Sequence, residues 1–199
     1  MMDQGSELNL RIAERVRELR TARGLSLEGL AGKSVVSRSM ISLIERGESN
    51  PTAVVLEKLA AALGVTLASL FDPPATSARA SRGPLARRED QPQWRDPASG
   101  YVRRNVSPPA VPQPMQIVEV IFPPGGRVAF DTGGRDQNVH QQVWVLEGAI
   151  DVTWGTERHR LRSGDCLAMQ LDGPTMFHNP TRKRTRYAVV IAAEAASRR

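Results

Sequence analysis

The chain has 199 residues, room for one ordinary domain or two small ones, and its 40% apolar content is enough to build cores, so wholesale disorder is excluded. Its net charge is +6, yet residues 1–71 hold 9 Lys and Arg against 8 Asp and Glu, so overall basicity does not point to any one segment as a phosphate-binding face. No apolar run approaches the roughly 20 residues that span a bilayer, and residues 1–9 lack the pattern of a secretory signal. A single cysteine, Cys166, rules out an internal disulfide and a cysteine-rich zinc site. The expectation is a soluble, cytoplasmic protein with no membrane partner.

The first predicted element is an amphipathic helix with Ile12, Val16 and Leu19 at helical spacing, ending near Gly24. Ser26 can cap a second helix that presents Leu27, Leu30 and Ala31 to a core, and Ser37 a third with Met40, Ile41 and Ile44. Pro51-Thr52 opens a fourth, bearing Val55, Leu56, Leu59, Ala60 and Leu63 and closed by Gly64. Residues 66–71 read as a short fifth helix stopped by Pro73-Pro74. Five helices over residues 8–71 predict a compact all-α domain. Residues 72–86, rich in Pro, Ser and Ala with no apolar period, predict a linker.

Residues 87–195 change character. Strands are predicted at 101–106, 115–122, 139–146, 149–154, 158–161, 166–171 and 185–191, with another ending near Trp94. Asp96-Pro97-Ala98-Ser99-Gly100, Glu147-Gly148 and Ser163-Gly164-Asp165 supply turns. Many short strands at regular spacing predict a β-sandwich or barrel, giving a multidomain α + β chain.

Within the helical part, Ser37-Arg38-Ser39, Ile41-Ser42-Leu43-Ile44-Glu45-Arg46-Gly47 and Asn50-Pro51-Thr52 stand in one short run. These motifs, with Leu59 to Val65 and Leu70-Phe71 downstream, closely resemble the phage-repressor-like (Cro/C1, or XRE) helix-turn-helix family. The resemblance covers residues 8–71. It implies a sequence-specific DNA-binding transcriptional regulator, with a double-stranded DNA operator as partner. The third helix would enter the major groove, opening at Ser37 and offering Arg38, Ser39 and Ser42 to base edges. Arg38 could then pair bidentately with guanine, a contact of about 1–3 kcal/mol of discrimination. Ser26, Lys33 and Asn50 fall where phosphate contacts fix the register. Ile41 and Ile44 would stay in the core, and Glu45 would support the turn at Gly47. Two positions depart from the family: Val35 replaces the glycine that usually follows the second helix, and Leu27 replaces a common phosphate-contacting glutamine. Val35 at positive φ would be strained, so a different local turn is expected there. Gly29 and Gly32 each weaken the second helix by about 1 kcal/mol relative to alanine.

In the β-rich part, Val143-Trp144-Val145-Leu146-Glu147-Gly148, Leu161 to Cys166, Asp172-Gly173-Pro174 and Asn179-Pro180-Thr181 resemble the cupin family. That resemblance implies a double-stranded β-helix, a jelly-roll-like barrel, acting as a sensor and homodimerisation module. In metal-binding cupins two histidines and a glutamate precede the first motif and a third histidine precedes Asn-Pro. The matching positions here are Arg135, Gln137, Gln141 and Thr175, poor ligands for a divalent cation, so neither metal nor cofactor is expected. His140 and His178 stand at odd offsets from Gln141 and Thr175 and should point away from the interior. His159, between Arg158 and Arg160, reads as a solvated edge residue.

Three readings of the barrel follow. Arg135, Gln137, Gln141 and Thr175, with Val143 and Phe177 as apolar walls, could hold a small anionic or amide-bearing effector. A filled barrel could instead serve dimerisation alone. A cupin enzyme with a tethered DNA-binding domain would need a bound metal, which the replaced ligands oppose, so no catalytic role is expected. The basic run 182–186 is expected to be surface charge that discourages edge pairing.

Overall fold

A computed structural model of the chain describes residues 4–73, 83–109, 114–131 and 138–193. Among the described residues four α-helices come first: α1 (Gln4–Ala22), α2 (Leu27–Ser34), α3 (Arg38–Glu45) and α4 (Ala53–Ala62). Each boundary has a local cause. The side chains of Ser26, Ser37 and Thr52 accept hydrogen bonds from the backbone N–H groups of Gly29, Met40 and Val55, satisfying donors that the first turn leaves orphaned. Gly24 and Gly64, both at positive φ, turn the chain out of α1 and α4. Ile12, Val16, Leu30, Ile41, Ile44, Leu56 and Leu59 are all essentially inaccessible to solvent, so the predicted apolar stripes are the ones that pack together.

The expected fifth helix is instead a 3-10 helix, Leu67–Phe71. Thr66 caps it through Ser69 N–H, and Pro73 follows at once. Five residues between a cap and a proline leave no room for repeated i→i+4 bonds, and the tighter i→i+3 turn wins.

Ten strands follow among the described residues: β1 (Gln93–Arg95), β2 (Val102–Asn105), β3 (Met115–Phe122), β4 (Arg127–Asp131), β5 (Val139–Glu147), β6 (Ala149–Trp154), β7 (Glu157–Arg162), β8 (Cys166–Gln170), β9 (Pro174–His178) and β10 (Thr185–Ala193). They form two antiparallel sheets, one in the order β1-β2-β3-β10-β5-β8 and the other β4-β9-β6-β7. β4 and β9 were not expected from the sequence. β4 follows Gly125-Gly126 and β9 begins at Pro174, and such residues read locally as loop. The two strands pair with each other from Arg127–His178 to Asp131–Pro174, so cross-strand contacts supply what local propensity does not.

Inward positions alternate along the strands. On β5, Val139, Gln141, Val143 and Val145 are buried while His140, Gln142 and Trp144 face out. The helices do not stand apart from this barrel. A single cluster of buried apolar residues runs from Leu8 in α1 to Ile191 in β10. Aromatic rings carry it across the seam: Phe71 lies 5.7 Å from Trp94, Trp94 6.0 Å from Tyr101, and Tyr101 stacks on Phe122 at 5.6 Å. Phe122, Tyr187, Phe177 and Phe130 continue the series into the barrel.

Polar contacts lock the same seam. Asp96, 1% exposed, accepts the N–H of Ala53 at the start of α4 (2.9 Å), and its other oxygen accepts the backbone N–H of Ser99. The turn expected at residues 96–100 thus doubles as an acidic cap on a helix N-terminus, where negative charge is favourable. Asn105 donates to the Ala68 carbonyl at 3.0 Å, and Thr66 bonds Gln116 at 2.6 Å.

Candidate nucleic-acid interface and barrel cavity

The surface offered by α2 and α3 follows from how α3 is held. Ile41 and Ile44 anchor its inner face in the helical core. Its C-terminal end is clamped by a fork: Arg20 donates through Nε and Nη2 to the two carboxylate oxygens of Glu45, at 2.6 and 2.7 Å, and through Nη1 to the Leu25 carbonyl at 2.8 Å. Both side chains are largely buried, at 13% and 8% exposure. Glu45 was expected to support the turn at Gly47. It pairs with Arg20 instead, because a carboxylate on the inner side of the helix needs a desolvated cation more than the exposed turn needs an acceptor. The Arg20–Glu45 pairing, 25 residues apart in sequence, carried no local signal.

The opposite face of α3 is open. Ser37, Arg38 and Ser39 are exposed and Ser42 is half-buried. Arg38 faces Glu28 at 3.8 Å, but both side chains are well solvated, so the attraction is weak and easily exchanged. Ser42 Oγ takes a hydrogen bond from Arg46, whose other donors grip Glu48. Ser26, Lys33 and Asn50 are exposed as well, Ser26 being occupied as the cap of α2.

The turn between α2 and α3 keeps its shape despite the valine. Val35 sits at φ 54°, ψ 31°, in the left-handed region, and its N–H donates to Ala31 O. The expected change of turn does not occur. The side chain is 82% exposed and gains no packing there; the burial of Leu30 and Val36 on either side holds the path against the cost of positive φ.

The second site is a cavity of about 70 Å³ between the barrel and the helices. Of the residues expected to form a pocket, Gln141, Thr175 and Phe177 line it. Val143 is wholly buried in the core rather than on the cavity wall, and Arg135 and Gln137 lie outside the described residues. His140 faces out and His178 turns toward Asp151, as strand alternation requires. Among the described residues no three His, Cys, Asp or Glu side chains are grouped to hold a metal ion.

Several lining residues were not foreseen. Arg103 comes from β2 and Tyr101 from the residue just before it, Tyr187 from β10, and Glu57, Thr66 and Leu67 from the helical part. Arg103 shares its strand parity with buried Tyr101 and Asn105, which is the signal that could have found it. Burial pushes the Tyr101 phenol up to about 12 and the Tyr187 phenol well above its ordinary value, so both remain neutral donors. Burial also lowers the basicity of Arg103, opposed by Tyr101 and Tyr187.

A family model for helix-turn-helix domains (HTH_3) matches residues 16–70, which contain α2, the Val35 turn and α3. The control protein C.MunI of a Mycoplasma species is 36% identical over 67 residues, 33% of this chain and 90% of that protein. The chain belongs to the XRE-type helix-turn-helix family of transcriptional regulators. This regulator shares 26% identity with the HTH-type transcriptional regulator SutR of Escherichia coli K12 over 177 residues, 82% of this chain and 84% of SutR. Another curated relative is spanned over only 49% of its length. The crystal structure of an HTH_3 family transcriptional regulator from Vibrio cholerae matches with a TM-score of 0.75 at 25% identity, covering 96% of this chain and 99% of that one. That match takes in helices and barrel together. A cupin domain of an XRE family regulator is among the more distant structural neighbours.

Proposed function

We propose that this regulator binds a specific operator as a homodimer and that a small molecule in its metal-free, cupin-type barrel modulates it. Residues 8–71 form the DNA-binding unit in this reading, residues 72–86 the linker, and residues 87–195 the sensing and dimerising barrel; the protein acts on DNA in the cytoplasm. The observation that carries the DNA reading is the exposed N-terminal end of α3, with Ser37, Arg38 and Ser39 in the open while the Arg20–Glu45 fork holds the helix from behind. A rigid helix with exposed donors at its leading end is what direct readout in the major groove requires. Arg38, Ser39 and Ser42 read bases; Ser26, Lys33 and Asn50 hold phosphates.

Selecting an operator from random duplexes and titrating it by gel shift tests this. Arg38→Ala should lose about 1–3 kcal/mol at one base step, whereas Lys33→Ala should weaken all sequences alike and flatten the salt dependence. If Arg38→Ala bound with unchanged strength and selectivity, α3 would not be the reading helix.

A further inference from the structure

The cavity holds a cation whose best edge is unused. Arg103 is 7% exposed, and its Nε and Nη2 atoms are fully buried with no hydrogen-bond partner among the described residues. Its guanidinium carbon lies 5.7 Å from the Phe71 ring, which holds one face. Nε and Nη2 form the side-on fork of a guanidinium. In this same molecule Arg20 and Arg46 each present that edge to both oxygens of a carboxylate, those of Glu45 and Glu48. Arg103 has a hydrogen bond with Tyr101, but its Nε–Nη2 edge has none, and a buried charged edge left unpaired is costly, so the arrangement calls for an acceptor.

The rest of the wall says what kind of acceptor. Phe130, Phe177, Val189 and Ile191 make most of it apolar, while Gln141 and Thr175 offer isolated polar contacts. A cavity of about 70 Å³ admits only a small molecule. Resting on the reading of the barrel as a sensor, we infer that its effector is a small organic carboxylate, seated bidentately on the Nε–Nη2 edge of Arg103 with its hydrocarbon part against Phe177 and Phe130. The geometry also carries the signal. Glu57 of α4 and Thr66 and Leu67 of the 3-10 helix line the same cavity, and Phe71 stacks on the receiving arginine. A carboxylate on Arg103 therefore shares its cavity with residues of α4 and the 3-10 helix, Glu57 among them. Binding shifts how the helical part rests on the barrel without any relay through the linker.

The experiment is a thermal-shift and calorimetric titration of the full chain with straight-chain carboxylates from acetate to hexanoate and with benzoate, alongside the matching amides and alcohols. The expected result is a rise of about 5 °C at carboxylate concentrations roughly 100-fold above Kd, and a much smaller response to the neutral analogues. Arg103→Lys, which keeps the charge but loses the fork, should weaken carboxylate binding about 30-fold. If Arg103→Lys does not fold, Thr175→Val and Gln141→Leu provide the second reading: each should weaken binding by about 5-fold while leaving the preference for acids intact. Gel shift with and without the tightest acid should show a change in operator affinity, smaller in Glu57→Gln. Binding of amides or alcohols in preference to acids would overturn the carboxylate assignment and leave the sensor reading standing. No response to any compound in the set, or binding that Arg103→Lys leaves unchanged, would overturn the assignment; operator binding with an intact Arg38 dependence would still stand.

Discussion

Val35 and Asp72 each pull against the fold at a single position. Val35 holds a left-handed conformation that costs a β-branched residue about 1–2 kcal/mol, and at 82% exposure it contributes almost no packing in return. Val35→Gly should relieve this, offset in part by the greater freedom of glycine in the unfolded chain, for a net gain of about 1 kcal/mol. Thermal unfolding would then move up by about 2–4 °C. An unchanged or lower midpoint would show that the turn is unstrained. Asp72 is burdened differently. Burial raises its carboxyl from 3.8 to about 6, the nearby charge of Arg15 only partly opposing this. An acid whose folded-state pKa lies above its unfolded value holds its proton more tightly in the fold, so stability falls as pH rises from about 4 through 6. Asp72→Asn should stabilise the protein by on the order of 2 kcal/mol at neutral pH and change little below pH ~4. Melting curves across that range would check the sign, and a gain at acid pH alone would contradict it.

At the scale of elements, the orientation of α3 depends on a contact from α1. Removing one partner of the Arg20–Glu45 fork leaves the other charge buried, a loss of about 3–5 kcal/mol. Arg20→Met or Glu45→Leu alone should therefore be strongly destabilising, while the double variant should recover much of the loss. Chemical denaturation of the three variants gives the coupling directly; additive losses would mean that the fork is solvated and minor. The elements themselves were largely legible in the sequence. Caps at Ser26, Ser37 and Thr52 and the stripes of α1, α3 and α4 rest on spacings of a few residues, and local chemistry decides them. What could not be read locally depends on pairing across the fold. β4 and β9 carry loop-like residues and become strands only opposite each other, and the 3-10 helix is set by its confinement between Thr66 and Pro73. The candidate sites divide in the same way. The exposure of Arg38 follows from helical phase, but Arg103 and Glu57, 46 positions apart in sequence, line one cavity only because helices and barrel pack together.

At the scale of the molecule, the six-stranded sheet exposes large apolar side chains on its outward face. Its register places Met115 beside Ala192, Ile117 beside Val190, and Ala188 beside Trp144, so these six apolar residues share one face, with His140 and Gln142 of β5 beside Ala192 and Val190. Met115, Ile117 and Trp144 are 49%, 39% and 50% exposed, large values for side chains of this kind in a chain that stays monomeric. In the proposed dimer we assign the interface to this face, where a second copy would present the same residues across a two-fold axis. Trp144→Glu should then halve the mass seen by sedimentation while leaving the melting of the individual chain within about 1 kcal/mol of the parent, since the residue is not in the core. A dimer that survived the change would place the interface elsewhere.

The ring series across the seam has one more consequence. Trp94 is 4% exposed and touches Phe71 on the helical side and Tyr101 on the barrel side, while Trp144 is half in solvent. Among the three tryptophans of the chain, the indole at the joint should emit from a buried surrounding built by helices and barrel together. The protein thus carries its own optical gauge of that seating, and a red shift in the buried component would register the two parts drawing apart before either had lost its secondary structure.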